Sequence, residues 1–489
     1  MSTSSTAQHD SSTPDRGFFG QPWPLANLFG VEMWERFSFY GMQGILLIYL
    51  YYSADQGGLG IDKATATGIV GAYGGAVYLA TILGAWLADR LIGAERTLFY
   101  AACVVMLGHI SLSLIPDLAG VGIGLALIAL GSGGVKANAT SLVGSLYRED
   151  DERRDAGFSL FYMGINIGAF VGPLLTGWFQ ENEGFHWGFG LAAIGMFLGL
   201  VQYSIGRRRL PDETRVVPNP LQPAERVRYV AALVAFVVVV AVLVALGWMN
   251  AGNLSDWVIW VTVAASILYF ALMLTSSQVS AVERSRVWSF LPMFVTNAVF
   301  WSLYQQQFTV VTIYSDERVD RDFFGWTMPV SWVQSINPVF IIALAPVFAA
   351  VWTRLGSRQP STPVKFGVGT VLMGAAFLLF LPLPKGENTV NLWALAGVLL
   401  VFTLAELFIS PPGLSLSTKL APARYHTQMV ALYFLSIALG TAMSGRLAEY
   451  YDPKDETGYF LIIGLVAIAV GVLLLLAVKP IRRLMAGVH

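Results

Sequence analysis

Apolar runs of about twenty residues, the length needed to cross the hydrocarbon core of a bilayer, recur along almost the whole chain. Fourteen can be counted, at 32–52, 64–88, 97–115, 119–145, 157–180, 187–206, 228–249, 254–275, 289–314, 330–352, 364–382, 391–416, 428–448 and 458–478. The pattern predicts an all-α polytopic membrane protein, and an even number of spans puts both termini on one side. The residues before the first run are polar or turn-rich. They lack a basic n-region, a short apolar core and a small-residue cleavage site, so the first run is expected to insert directly behind a disordered tail.

Composition agrees with this reading. Of 489 residues, 55% are apolar and 12% charged, about half the charged fraction of a soluble protein. The net charge of −1 provides no basic face for nucleic acid, and the lone Cys103 can form no intrachain disulfide. Lysine and arginine set the orientation. With the amino terminus inside, 22 of the 30 basic residues fall in inside segments, counting Arg228 and Lys365 at the inner ends of their runs, and five in outside loops; Arg36, Lys136 and Arg446 lie deeper within runs. Both termini are expected in the cytoplasm and the chain in the cell inner (plasma) membrane.

The loop after the second run, Asp89 to Arg96, and the loop after the tenth, Arg354 to Arg358, are both short, basic and glycine-containing. Their recurrence suggests two six-helix halves in parallel repeat, with runs seven and eight as an inserted hairpin. The expected divisions are a tail over 1–28, a bundle over 29–209, a linker and hairpin over 210–285, a second bundle over 286–480 and a tail over 481–489. Neither hairpin run carries a charge in its core, as befits a lipid-facing scaffold.

Against this background the few charges inside runs stand out, because an ionisable side chain at the bilayer centre costs roughly 2.5–3.5 kcal/mol on insertion scales. Glu32, Glu35 and Arg36 are spaced i, i+3, i+4 and share one helix face, which Tyr40 and Gln43 extend. Two carboxylates beside one guanidinium leave a surplus negative charge in low dielectric, which a proton can neutralise. A static structural pair is the alternative. Lys136, in Gly-Ser-Gly-Gly-Val-Lys from Gly131, is expected to point into a cavity where glycines let helices approach. Glu406 precedes Ser410-Pro411-Pro412, where the two prolines are expected to break the helix. Two cations in one half facing an anion in the other suit a zwitterion with separated charges. His109, within a run, is expected to pack rather than relay protons.

The run Glu-x-x-Glu-Arg-Phe-Ser-Phe-Tyr-Gly from Glu32 to Gly41 resembles the first-helix signature of the proton-dependent oligopeptide transporter family. Phe161 to Gly168, Gly134 to Asn138, Phe300-Trp301, Ser335 to Pro338 and Glu406 to Pro411 are similar to further family positions, and the Gly93 loop resembles the major facilitator signature. The resemblance covers essentially the whole chain. It implies the major facilitator fold, with 12 core helices in two six-helix bundles plus a two-helix insertion, 14 in total. It also implies a proton-coupling triad of Glu32, Glu35 and Arg36. Arg36 and Lys136 would receive a peptide carboxylate, and Glu406, with Asn166 and Asn337, its amino terminus. Tyr40, Tyr78 and Trp301 would line the pocket, and Ser410 belongs to the same set.

Two departures concern an arginine and a glutamate common in the family, here Gln43 and Gln305. In relatives the two form an interhelical salt bridge; the expectation for this chain is a pH-insensitive hydrogen bond between the two amides. The resulting reading is a proton-coupled symporter importing dipeptides and tripeptides by alternating access. Its partners would be peptides, protons and the lipid bilayer, with no nucleic acid, cofactor or metal, and it would act as a monomer. The alternatives are a proton-coupled transporter of another small solute, such as nitrate or a peptide-like compound, and a polytopic membrane enzyme using Glu32 and Glu35.

Overall fold

A computed structural model describes residues 17–148, 151–323 and 325–488. The first sixteen residues, most of the expected disordered tail, lie outside the described residues, as does His489.

Every expected run is occupied by a helix. In order these are α1 (Trp23–Tyr51), α2 (Lys63–Leu87), α3 (Ala94–Leu114), α4 (Asp117–Gly144), α5 (Arg154–Glu183), α6 (Phe185–Gly206), α7 (Pro223–Ala245) and α8 (Leu254–Thr275). There follow α9 (Ala281–Tyr304), α10 (Val310–Glu317), α11 (Ile336–Leu355), α12 (Thr362–Leu378), α13 (Leu392–Leu420), α14 (His426–Ala448), α15 (Glu456–Leu476) and the short α16 (Val478–Leu484). Among the described residues, 12 spans are long and apolar enough by themselves to cross a membrane. The remaining two of the fourteen are α1, whose centre holds three charges, and α12, which has 17 residues. The chain is an all-α polytopic membrane protein.

α1 to α6 pack on one another, and α9 with α11 to α15 form a second group. The two groups meet where α2 crosses α14 and where α5 meets α11. At the first crossing a Cβ on Gly71 would lie 2.5 Å from the Gly445 Cα, so only two glycines allow the backbones this close. In the loop after α2, Gly93 adopts φ 82°, and the space a side chain would need is taken by the Arg215 carbonyl at 2.8 Å.

The ninth run is not the single helix expected. It is α9, a tight 3₁₀ turn over Gln305–Phe308, and then α10. Glutamine is a good helix former, so propensity gives no sign of the break. One local and one distant bond hold it: Gln306 donates to the Ser302 carbonyl (3.1 Å) and accepts from the Tyr459 hydroxyl of α15 (2.8 Å). The tenth run also starts as a 3₁₀ turn, Val330–Ser335, clamped to α5. Ser331, Trp332 and Ser335 donate to the carbonyls of Pro173, Leu174 and Phe170 at 3.0, 2.9 and 2.8 Å.

α13 corrects a further expectation. It continues as one helix through Pro411 and Pro412. Proline removes a backbone hydrogen bond, but its fixed φ is compatible with a helix. Packing keeps the segment in line, since a Cβ on Gly413 would lie 2.6 Å from the Tyr433 ring.

The two helices of the hairpin differ in their packing. No residue of α7 is buried. α8, in contrast, touches both groups of helices: Ser255 donates to the Gly68 carbonyl of α2 (2.6 Å), and Asp256 lies 3.3 Å from Arg446 of α14.

At the end where α1 finishes, Tyr51 and Tyr52 donate to Asp316 at 2.6 and 2.9 Å, and Lys63 pairs with Glu317. These bonds seal one mouth between the two groups. On the opposite, basic half of α5, Tyr162 is 43% exposed although it lies within electrostatic range of Tyr40 and Glu406.

The glycine crossing provides a test of this packing. Gly71→Leu should force α2 from α14, with an overpacking cost of about 1–3 kcal/mol, and lower the melting temperature in detergent. An unchanged melting curve would contradict the direct backbone contact.

Candidate functional site

The cationic pole is built by α1 and α4. Glu32, Glu35 and Arg36 are 3%, 0% and 2% exposed. Arg36 Nε sits 2.9 Å from Glu32 Oε1 and 2.9 Å from Glu35 Oε2, and only the first contact is aligned as a hydrogen bond. The helical spacing that placed these residues on one face thus also brings them into contact. The second oxygen of Glu35 is held from across the interface, where Ser132 Oγ on α4 donates to Oε1 at 2.6 Å. Arg36 also lies 5.6 Å from the centre of the Phe39 ring. Glu32 Oε2 and Arg36 Nη2 have no hydrogen-bond partner in the protein. The cluster therefore holds one charge more than it neutralises and has polar capacity in reserve.

Lys136, four residues after Ser132 and on the same face of α4, lies 4.2 Å above the Tyr78 ring. Among the described residues no carboxylate forms an ion pair with it. A cation–π contact of this kind is worth about 0.5–2 kcal/mol, well below a counterion, so its charge remains available. Tyr40 lies within the fields of Lys136, Arg36, Tyr78 and Glu406 together. It sits between the cations and the acid of the other half.

Glu406, on α13, forms the opposite pole. Tyr304 donates to its Oε2 at 2.7 Å, and Asn337 Nδ2 lies 3.4 Å from the same oxygen. Asn337 is positioned by a 2.9 Å bond to Thr403. Every partner of Glu406 here is neutral. Trp301 is buried against Tyr304 and Phe300, with ring centres 5.1 and 5.7 Å away and an indole nitrogen that has no partner. Tyr78 lies 6.4 Å from it across the divide.

Other expected residues are placed less directly. Asn166 is buried on α5 and donates to the carbonyl of Tyr162 on its own helix (2.9 Å). Ser410 offers its backbone carbonyl to the Tyr433 hydroxyl at 3.4 Å. His109 is fully buried with neither ring nitrogen partnered, consistent with packing. Gln43 and Gln305 correct the expectation of an amide latch. No hydrogen bond joins them, and Gln43 Oε1 is buried without any partner. Gln305 lies within hydrogen-bonding reach of Tyr78 instead. Gln305 closes α9 with its backbone N–H still bonded to the Trp301 carbonyl, so it keeps the helical position, and the 3₁₀ turn redirects only the residues after it.

Sequence reasoning missed Ser132, Tyr304, Tyr162 and Thr403. Signals existed for two of them. Ser132 is at i−4 from Lys136 and Tyr304 at i+3 from Trp301, spacings that share a helix face.

The burial of Arg36 between two acids generates one prediction. Arg36→Met leaves two carboxylates buried without a counterion and should destabilise the protein by about 3–5 kcal/mol, seen as a lowered melting temperature. Adding Glu32→Gln should recover part of the loss. If Arg36→Met melts like the parent chain, the guanidinium does not hold the acids together.

A model of the POT family matches residues 95–462. A protein of Bacillus subtilis named uncharacterized transporter YclF is 41% identical, with 98% of both chains covered. A di-/tripeptide transporter of Lactococcus lactis subsp. cremoris is 39% identical, covering 97% of this chain and 99% of its own. The crystal structure of peptide transporter POT in complex with sulfate superimposes with a TM-score of 0.93 at 44% identity, over 97% of this chain and 98% of that one. With the family matched across the first and second groups of helices alike, the chain belongs to the POT family.

Proposed function

We propose that this protein is a proton-coupled symporter that imports dipeptides and tripeptides by alternating access. It works as a monomer in the cell inner membrane, with its basic end and both termini in the cytoplasm. The observation that carries the reading is the separation of poles. A buried triad with a spare guanidinium nitrogen, together with Lys136, lies on one side of Tyr40 and Tyr78; Glu406 with only neutral partners lies on the other. A peptide is a zwitterion whose charged ends are separated by backbone, and the relatives named as di-/tripeptide transporters support that choice of cargo.

Coupling follows from competition for Arg36. While Glu32 and Glu35 are both ionised they hold the guanidinium. A proton on either acid removes one competitor, and Arg36 can then turn to a peptide carboxylate. Release of the proton inside restores the ion pair and expels the carboxylate. A membrane potential adds roughly 2.3 kcal/mol per proton per 100 mV in the direction of uptake. At the far pole Glu406 receives the amino terminus, oriented by Tyr304 and Asn337.

The direct test is uptake of labelled dialanine in proteoliposomes, as counterflow and under an imposed pH gradient. The parent chain should perform both. Glu35→Gln should lose gradient-driven accumulation and keep counterflow; equal loss of both would instead assign Glu35 a structural role. No uptake by a folded protein at any pH would sink the peptide reading. Tyr304→Phe removes one donor to Glu406 while keeping the ring, and should weaken dialanine competition by about fivefold to tenfold, the effect of one lost hydrogen bond. Unchanged competition would remove Tyr304 from the site.

A further inference from the structure

A cavity of about 710 Å³, lined by no residue of the candidate peptide site, lies at the basic end of the second group of helices. The last turn of α11, the first turn of α12, the last turns of α13 and Arg482 of the terminal α16 enclose it. Three cations line it, Lys365, Lys419 and Arg482, and its lining contains no carboxylate. Lys365 is 7% exposed, lies 4.2 Å over the Trp352 ring and donates to the amide oxygen of Gln359 at 2.7 Å. Both of those partners are neutral. Among the described residues Lys365 has no acid paired with it, and Lys419 is close enough to repel it.

A buried ammonium facing a like charge is costly unless a counterion joins it. Nothing in the transport cycle above uses this cluster. Beside apolar residues such as Pro360, Pro412 and Leu416, the wall holds further donors. Ser361 and Thr362 open α12, whose first-turn amides receive no side-chain cap, and a helix start of this kind favours negative charge. Ser415 adds a hydroxyl from α13. A hydroxyl-lined pocket with three cations and a helix start matches a tetrahedral oxyanion with several acceptor oxygens better than it matches a planar carboxylate.

We propose that this cavity binds a phosphate group, supplied either as the headgroup of an anionic phospholipid of the inner leaflet or as free phosphate. Bound there, the anion ties the ends of α11, α12 and α13 to the terminal helix. The site is independent of the peptide pocket, and its test does not rely on transport.

The test compares the parent protein with Lys419→Gln/Arg482→Gln, a double variant of two exposed side chains. An unchanged gel-filtration profile verifies its fold. One arm measures phosphatidylglycerol retained by each protein in native mass spectrometry from mixed phosphatidylglycerol/phosphatidylethanolamine micelles. The other measures the rise in melting temperature with inorganic phosphate in an uncharged detergent, against chloride at equal ionic strength. Removal of two cations should cut binding roughly tenfold or more in one of the arms. A difference in the first arm assigns the site to a lipid headgroup, and a difference confined to the second assigns it to free phosphate. Lys365→Gln should act in the same direction in the same arm. Equal lipid retention and equal phosphate response in the parent and both variants would overturn the proposal.

Discussion

The constraint on which the rest depends is the burial of Arg36 between Glu32 and Glu35. Taking three charges out of water is expensive, and a buried ion pair rarely recovers more than its desolvation cost. The arrangement persists here with a carboxylate in surplus, and with donors and acceptors left open. Such a cluster stabilises a fold poorly but suits a switch, because adding one proton changes which partners the guanidinium can hold. Ser132 supports this function by fixing one oxygen of Glu35 from the neighbouring helix, so that the acid keeps its place in either charge state.

The architecture follows from keeping that switch between water and substrate. α1 carries too many charges to qualify as a span by composition and depends on its neighbours for its place. Glycines bring α2 against α14 at the divide, and the seal formed by Tyr51, Tyr52 and Asp316 closes the far mouth. The break after α9 lets the turn from Gln305 to Phe308 face inward, all four of its residues buried. With that mouth sealed, the poles at Lys136 and Glu406 are linked through Tyr40, which lies within the field of both.

Much of this was legible in the chain. Fourteen helices can be read from apolar runs because a bilayer demands continuous apolar length, and the triad from its i, i+3, i+4 spacing. Features that depend on a partner in three dimensions were not legible. The Gln305 turn is set by Tyr459, far away in sequence. The helix through Pro411 and Pro412 persists because Tyr433 packs beside it. The spacing of Ser132 and Tyr304 puts them on the faces of Lys136 and Trp301, but the acids they bind are seen only in the fold. The expected amide pair between Gln43 and Gln305 failed because Gln305 turns to Tyr78 instead, a partner that only the packed helices reveal.

The central claim is that proton and peptide move together. Proteoliposomes loaded with a pH-sensitive dye and exposed to external dialanine, with the membrane potential clamped negative inside, test it most directly. The account predicts acidification of the lumen that depends on dialanine and is absent in Glu35→Gln. Uptake of dialanine by the parent protein without any acidification would contradict it.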